Sequence, residues 1–213
     1  MTISDSPAAA LSHVRWIGGG SGAAKSTVAR RLAAAHDAVL YDSDAAMRAH
    51  ANQCRPEDCP RLAAFKAMDM DERWVNRTPE IMLDSFHWFA GEGFDLIIDD
   101  LRALPQDRPI LAEGFRLLPR LVAPLLQDKS HATWLLPTPC FRRRAFDGRD
   151  TTWDIPRQTR DPERALENLL ARDALFTERL RSDVSALGLH SIDVDGTLGK
   201  DALFQAVDRW LFG

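Results

Sequence analysis

The run Gly18-Gly19-Gly20-Ser21-Gly22, followed by Lys25-Ser26-Thr27, is a combination suited to phosphate. Glycines let the backbone curl until successive N–H groups point into one concavity, and a helix starting there turns its positive end to the same spot. From Gly19 to Ser26 the residues fit the pattern G-x-x-x-x-G-K-[ST] at every fixed position but one, since Ala24 stands where the second glycine belongs. The pattern assigns the cradle to Gly19, Gly20, Ser21, Gly22, Ala23 and Ala24, and sends Lys25 to the β and γ phosphates. The Ser26 hydroxyl goes to Mg2+, and Thr27 holds the first helical turn. A Cβ at Ala24 crowds the ligand or demands a different path for the loop.

Carboxylates come next. Asp42 and Asp44 lie two apart at the end of an apolar run, which in a strand projects them to one side with Cα atoms ~7 Å apart. The same pair also reads as turn and helix-capping chemistry before Ala45-Ala46-Met47. Glu113 closes another apolar run, where a carboxylate can cap the next helix. Phosphoryl transfer needs positive charge around the migrating group, and Arg142, Arg143, Arg144, Arg149, Arg157 and Arg160 crowd one segment. If Arg142 to Arg144 are helical they span different faces, so Arg142 and Arg149 are the two selected; surface charge is the competing reading for each. Arg73 and Arg77, with Trp74, His87 and Trp88, suit an anionic or ring-bearing molecule, although core packing explains the tryptophans equally well. Cys54 and Cys59 have no second pair at metal-binding spacing.

These groups need elements to carry them. Val14 to Ile17, Ala38 to Tyr41, Pro109 to Ala112, Ala132 to Leu136 and Ser191 to Val194 are short apolar runs suited to buried strands. Helical spacing follows the glycine loop from Lys25 to Ala35, fills 61–104 with Thr78-Pro79 as an internal start, and runs from Asp161-Pro162 to Gly188. A last helix covers Asp201 to Leu211, and 141–160 reads as a mobile connection. Strand, helix and strand in alternation predict an α/β chain with a parallel sheet. At 213 residues, 45% hydrophobic and 27% charged, the chain is long and apolar enough for one cored domain, and no apolar run approaches a membrane span. The N-terminal stretch lacks the features of a secretory signal and cysteines are sparse, so a cytoplasmic location is expected. A net charge of −4 argues against a nucleic-acid partner.

The strand, glycine loop and helix resemble the P-loop kinases of the nucleoside monophosphate kinase and shikimate kinase group. Tyr41-Asp42-Ser43-Asp44 is similar to the Asp-x-Asp of shikimate and gluconate kinases, and Glu113-Gly114-Phe115-Arg116 to the strand-Glu-Gly segment of related small-molecule kinases. The resemblance implies a three-layer P-loop NTPase fold with a five-stranded parallel sheet. Its core would span 13–60 and 105–213, with a helical acceptor-binding insertion at 61–104 and a lid at about 141–160. It implies that Asp44 orients the acceptor or acts as base, that Asp42 sits on the metal side, and that Glu113 and Arg116 face substrate or Mg2+. Gly196 and Thr197 fall where that group covers adenine, though an ordinary turn fits them as well. No Asn-Lys-x-Asp sequence is present, which favours ATP over GTP. The expected activity is transfer of the γ-phosphate of ATP, with Mg2+, to a hydroxyl of a small metabolite. The rivals are a nucleotide-binding regulatory protein without transfer and an RNA-directed kinase. The shikimate-binding residues are missing after the second strand, so the acceptor stays open.

Overall fold

Short apolar runs become the central strands here because they are buried on both faces, the condition under which parallel sheets are stable, while the two edge strands are only half-buried. A computed structural model of the chain describes residues 7–148 and 150–213. In order, the elements are α1 (Pro7–Ala10), β1 (Val14–Gly19), α2 (Lys25–Ala35), β2 (Val39–Asp42) and α3 (Met47–Gln53). The insertion follows as α4 (Pro60–Ala67), α5 (Met70–Trp74), α6 (Pro79–Ser85), α7 (His87–Ala90) and α8 (Phe94–Ala103). Then come β3 (Ile110–Glu113), α9 (Pro119–Val122), β4 (Ala132–Pro137), α10 (Pro139–Asp147), α11 (Pro162–Leu187), β5 (Ser191–Val194) and α12 (Lys200–Phe212).

The five strands form one all-parallel sheet in the order β2-β3-β1-β4-β5. Side chains alternate between its faces. Val14, Trp16, Ala112, Trp134 and Leu136 pack under α8, α9 and α11, while Ile17, Leu111 and Leu135 pack under α2 and α12. The result is the α/β chain with a parallel sheet that the alternating pattern predicts, five strands flanked by helices on both faces, an arrangement consistent with a three-layer P-loop-like fold.

Helix ends follow local chemistry. Thr78 accepts from the Ile81 N–H with Pro79 in the first turn, and Asp161 accepts from the Arg164 N–H at 3.1 Å. Gly188, at φ 59, stops the 26-residue α11 in the left-handed conformation.

The arginine-rich stretch, expected from the sequence as a mobile connection, carries helical elements. It begins as the helix α10, with Thr138 capping the Phe141 N–H and Pro139 in the first turn, and continues in the 3-10 turns Asp150–Trp153 and Pro156–Gln158. Arg142 sits on the inner face of α10, only 1% exposed, so a charged residue occupies the position where an apolar one would reveal the period. Arg160 then ties the stretch to α5 through an ion pair with Asp71. Within the described residues no helix is long and apolar enough to cross a membrane.

Candidate active site

Strand order reverses at β1, which places a crevice at the carboxyl ends of β1, β2 and β3. Backbone hydrogen bonds close its floor: Gly20 N–H to Leu135 O at 3.1 Å, Ser43 N–H to Glu113 O at 2.9 Å, and Gly114 N–H to Ile17 O at 3.2 Å. Two glycines are dictated by this crowding. A Cβ on Gly19 (φ +130) would lie 2.0 Å from Leu135 O, and one on Gly114 (φ +144) would lie 1.9 Å from Ser43 Oγ and 2.6 Å from Asp44 Oδ1.

Ala24 resolves the departure from the glycine pattern. It adopts φ 63, ψ 16, the left-handed conformation a glycine takes at no cost, and α2 starts from it. The loop keeps its curl despite the methyl, which packs partly buried against the core under α2. Ser21 to Thr27, with Asp44 and Phe115, line a polar cavity of about 220 Å3.

Charge in this cradle is concentrated and opposed. The Lys25 ammonium is buried and donates to Gly20 O at 2.9 Å. Asp44 accepts from the Phe115 N–H at 3.2 Å and the Ser43 hydroxyl at 3.4 Å. Burial raises its pKa above the ordinary carboxylate range, while the charge of Lys25 draws it back down. Glu113, 1% exposed and hydrogen-bonded to Ser26, is raised by the same cause and likewise opposed by Ser26 and Lys25. Its Oε2 is buried with no hydrogen-bond partner among the described residues, an orphaned acceptor of the kind a hydrated cation satisfies. Asp42 spends Oδ1 on the N–H groups of Asp44 and Ala45, at 2.9 and 3.0 Å, and so shapes the turn that aims Asp44. No three His, Cys, Asp or Glu residues are placed to hold a metal by themselves among the described residues. Mg2+ suits such a site, because it takes one or two carboxylates and completes its shell with phosphates and water.

A second cavity, of about 470 Å3, adjoins the first, and Ser21 and Phe115 line both. Its walls are aromatic: Phe65, Trp74, Phe86, Trp88, Phe89 and Phe115. Four cations, Arg48, Lys66, Arg73 and Arg172, and His87 also line it. Arg172 is buried, bonded to Asp173 through Nε and Nη2 at 3.0 and 2.7 Å, and faces the rings of Trp74, Phe86 and Phe89. His87 is 3% exposed and its Nδ1 has no hydrogen-bond partner among the described residues; burial, reinforced by Arg116, Arg172, Lys66 and Arg73, lowers its pKa to about 3.

The remaining predicted residues divide between this region and the framework. Arg73 reaches the chamber while its guanidinium holds Phe65 O and Lys66 O, both at 2.9 Å. Arg77 stays outside the lining and ties Glu72 O, Arg73 O and Ser85 Oγ together. Arg142 braces the loop from behind: Nε donates to Ser21 O at 3.3 Å and Nη2 to Thr177 Oγ1 on α11. Gly196 and Thr197 are exposed in a turn closed by Asp195 Oδ1, against Phe141 and Arg144 of α10. Arg149 lies outside the described residues.

Arg116 proves to be a hub that sequence reasoning placed without its partners. It is buried over the Trp88 ring at 4.0 Å and donates to Ser43 O, Gly93 O and His50 Nδ1. A guanidinium only donates, so Nδ1 of His50 accepts and Nε2–H donates to Asp100, which also accepts from Tyr41 at 2.7 Å. No signal in the sequence links His50, Asp100 and Tyr41, and Phe65, Phe115 and Arg172 join the site only through folding.

Comparison of the chain with models of known protein families gives no match, and none of the curated protein sequences matches it.

Proposed function

We propose that the protein is an ATP- and Mg2+-dependent kinase that moves the γ-phosphate onto a hydroxyl of a small metabolite. One observation carries the reading: a polar cradle sized for phosphates and an apolar chamber sized for a small molecule share the wall Ser21 and Phe115, with Asp44 on the cradle side.

The loop N–H groups and Lys25 hold and neutralise the phosphates. Ser26, Glu113 and the second oxygen of Asp42 are the groups that would hold Mg2+, which supplies further charge neutralisation when bound. Asp44 orients the acceptor hydroxyl and takes its proton. The hydroxyl oxygen bonds to the γ-phosphorus, the bond from that phosphorus to the β–γ bridging oxygen breaks, and ADP leaves with the electron pair. Burial moves the Asp44 carboxyl toward the pKa of a working base.

The test is acceptor-dependent release of ADP across hydroxy acids, sugars, nucleosides and phenols. Asp44→Asn is expected to lower kcat by about 100-fold or more while Mg-ATP still binds. Tight nucleotide binding with no transfer to any acceptor would favour the regulatory reading instead. RNA binding that collapses steeply with salt would favour an RNA-directed enzyme.

A further inference from the structure

We propose that the chamber takes an acceptor built on an aromatic ring and carrying a carboxylate, and that it rejects polyhydroxylated molecules. The inference rests on the kinase reading only in treating the chamber's occupant as the acceptor.

Size comes first. A cavity of about 150 Å3 accommodates benzene, so the 470 Å3 here hold a substituted ring with a side chain. Wall chemistry comes second. The faces of Phe65, Trp74, Phe86 and Trp88 favour stacked or edge-on rings, and apart from the indoles the uncharged polar side chains on the described lining are those of Ser21 and His87. A sugar acid brings several hydroxyls, most of which would be buried there without partners.

Charge comes third. Among the described residues no carboxylate lines the chamber, whereas four cations do. Arg172 is paired with Asp173. Arg73 holds backbone carbonyls and the thioether of Met70, and Lys66 holds Ala51 O, so neither has a carboxylate partner among the described residues. Arg48 is exposed and makes no ion pair there either. The field they create is felt at His87, whose imidazole is held neutral by burial and by its cationic neighbours. An anion on the occupant answers this excess: Arg73 and Lys66 contribute charge, and the Arg48 guanidinium, which forms no ion pair among the described residues, can meet a carboxylate with two parallel hydrogen bonds. Phe115, whose N–H holds Asp44, marks the end of the chamber that faces the phosphates, so the hydroxyl belongs at that end.

The test titrates the full-length protein, without nucleotide, by calorimetry and by tryptophan fluorescence, since Trp74 and Trp88 stand in the wall. The probes are para-hydroxyphenylpropanoate, its neutral amide, and gluconate. The carboxylate is expected to bind about tenfold more tightly than the amide, and gluconate not to bind in the same range. Arg73→Gln should remove about that tenfold preference and leave the amide's affinity in place. Because Arg73 also holds backbone carbonyls, Arg48→Gln, on an exposed side chain, is measured beside it and should reduce the same preference.

Equal binding of carboxylate and amide, displacement of the aryl carboxylate by gluconate, or no binding of any aromatic probe would each overturn the proposal. An aryl carboxylate that binds yet accepts no phosphate supports the chamber assignment and counts against the kinase. A sugar acid that is phosphorylated while aryl carboxylates are excluded does the reverse.

Discussion

Ala24→Gly is the most direct probe of the cradle, because its sign depends on the backbone conformation at one residue. An L-residue in the left-handed region carries about 1–2 kcal/mol that glycine does not. Ala24, at φ 63 and ψ 16, therefore holds that strain in the folded state. Against its release stands the greater freedom of glycine in the unfolded chain, about 0.4–1 kcal/mol. The partly buried methyl of Ala24 adds a small packing loss. The balance is a gain of about 0.5 kcal/mol, and for a chain of this length each kcal/mol moves Tm by about 2–4 °C, so Tm should rise by about 1–2 °C. Had Ala24 occupied right-handed helical space, the same change would cost about 1 kcal/mol and lower Tm by a similar or larger step. Scanning calorimetry of wild type and Ala24→Gly reads the sign, and Ala24→Val supplies the opposite arm, since a β-branched residue at positive φ is strongly disfavoured. Mg-ATP affinity measured on the same samples should be equal or higher for the glycine variant. A fall in Tm of about 2 °C or more on Ala24→Gly would falsify the left-handed cradle.

Arg142→Lys tests whether this arginine is framework or lid. Losing the buried bonds to Ser21 O and Thr177 Oγ1 should cost about 2–3 kcal/mol, hence about 4–12 °C in Tm, and weaken Mg-ATP binding as the loop loosens; an unchanged Tm with kcat alone reduced would place the guanidinium on the transferring phosphate. His87 makes stability fall toward acid: its folded pKa of about 3 lies below the unfolded value, so only the unfolded chain takes up the proton as pH drops below about 6.5. From pH 6.5 to 5 this amounts to about 2 kcal/mol, and urea unfolding of His87→Phe across that range should show the pH slope flattened by that amount, an unchanged slope excluding the buried neutral imidazole.

The parts of this architecture that were legible in the sequence are those written in consecutive residues. The strand ending in Gly19 and the helix starting at Lys25 announce themselves because strand, turn and helix signals follow one another without a gap. Each remaining strand is a run of four to six residues in the structure, and β3 and β4 are apolar enough to be read alone. Asp44 and Glu113 are legible as sheet-end carboxylates for the same reason. What stayed hidden depends on pairs far apart in the chain. Arg142 meets Ser21 across 121 positions, and Arg160 meets Asp71 across 89, so neither arginine can be told from surface charge by its neighbours in sequence. The chamber draws its lining from α3, α4, α5 and α7 and from Ser21, Phe86, Phe115, Ile155, Leu169 and Arg172, so no single segment carries its signature. Arg77 illustrates the converse: next to aromatic and cationic residues it looks like a ligand group, yet backbone carbonyls and Ser85 engage its guanidinium.

Two of the buried arginines, Arg116 and Arg142, also decide how the cavities are held together. Arg142 fixes Ser21 through its carbonyl, and Arg116, the neighbour of Phe115, fixes Ser43 beside Asp44. Ser21 and Phe115 are the residues both cavities share, so each edge of the common wall is anchored by a guanidinium whose position is set from the interior. Carboxylates gather on one side of that wall, at Asp42, Asp44 and Glu113, and cations without a carboxylate partner among the described residues gather on the other, at Arg48, Lys66 and Arg73. On the proposed reading, the negative end of the chamber's occupant would be drawn toward these cations, which would leave its opposite end at Phe115 and Asp44. On the kinase reading, the orientation that brings a hydroxyl to the phosphate follows from this separation of charge across the shared wall.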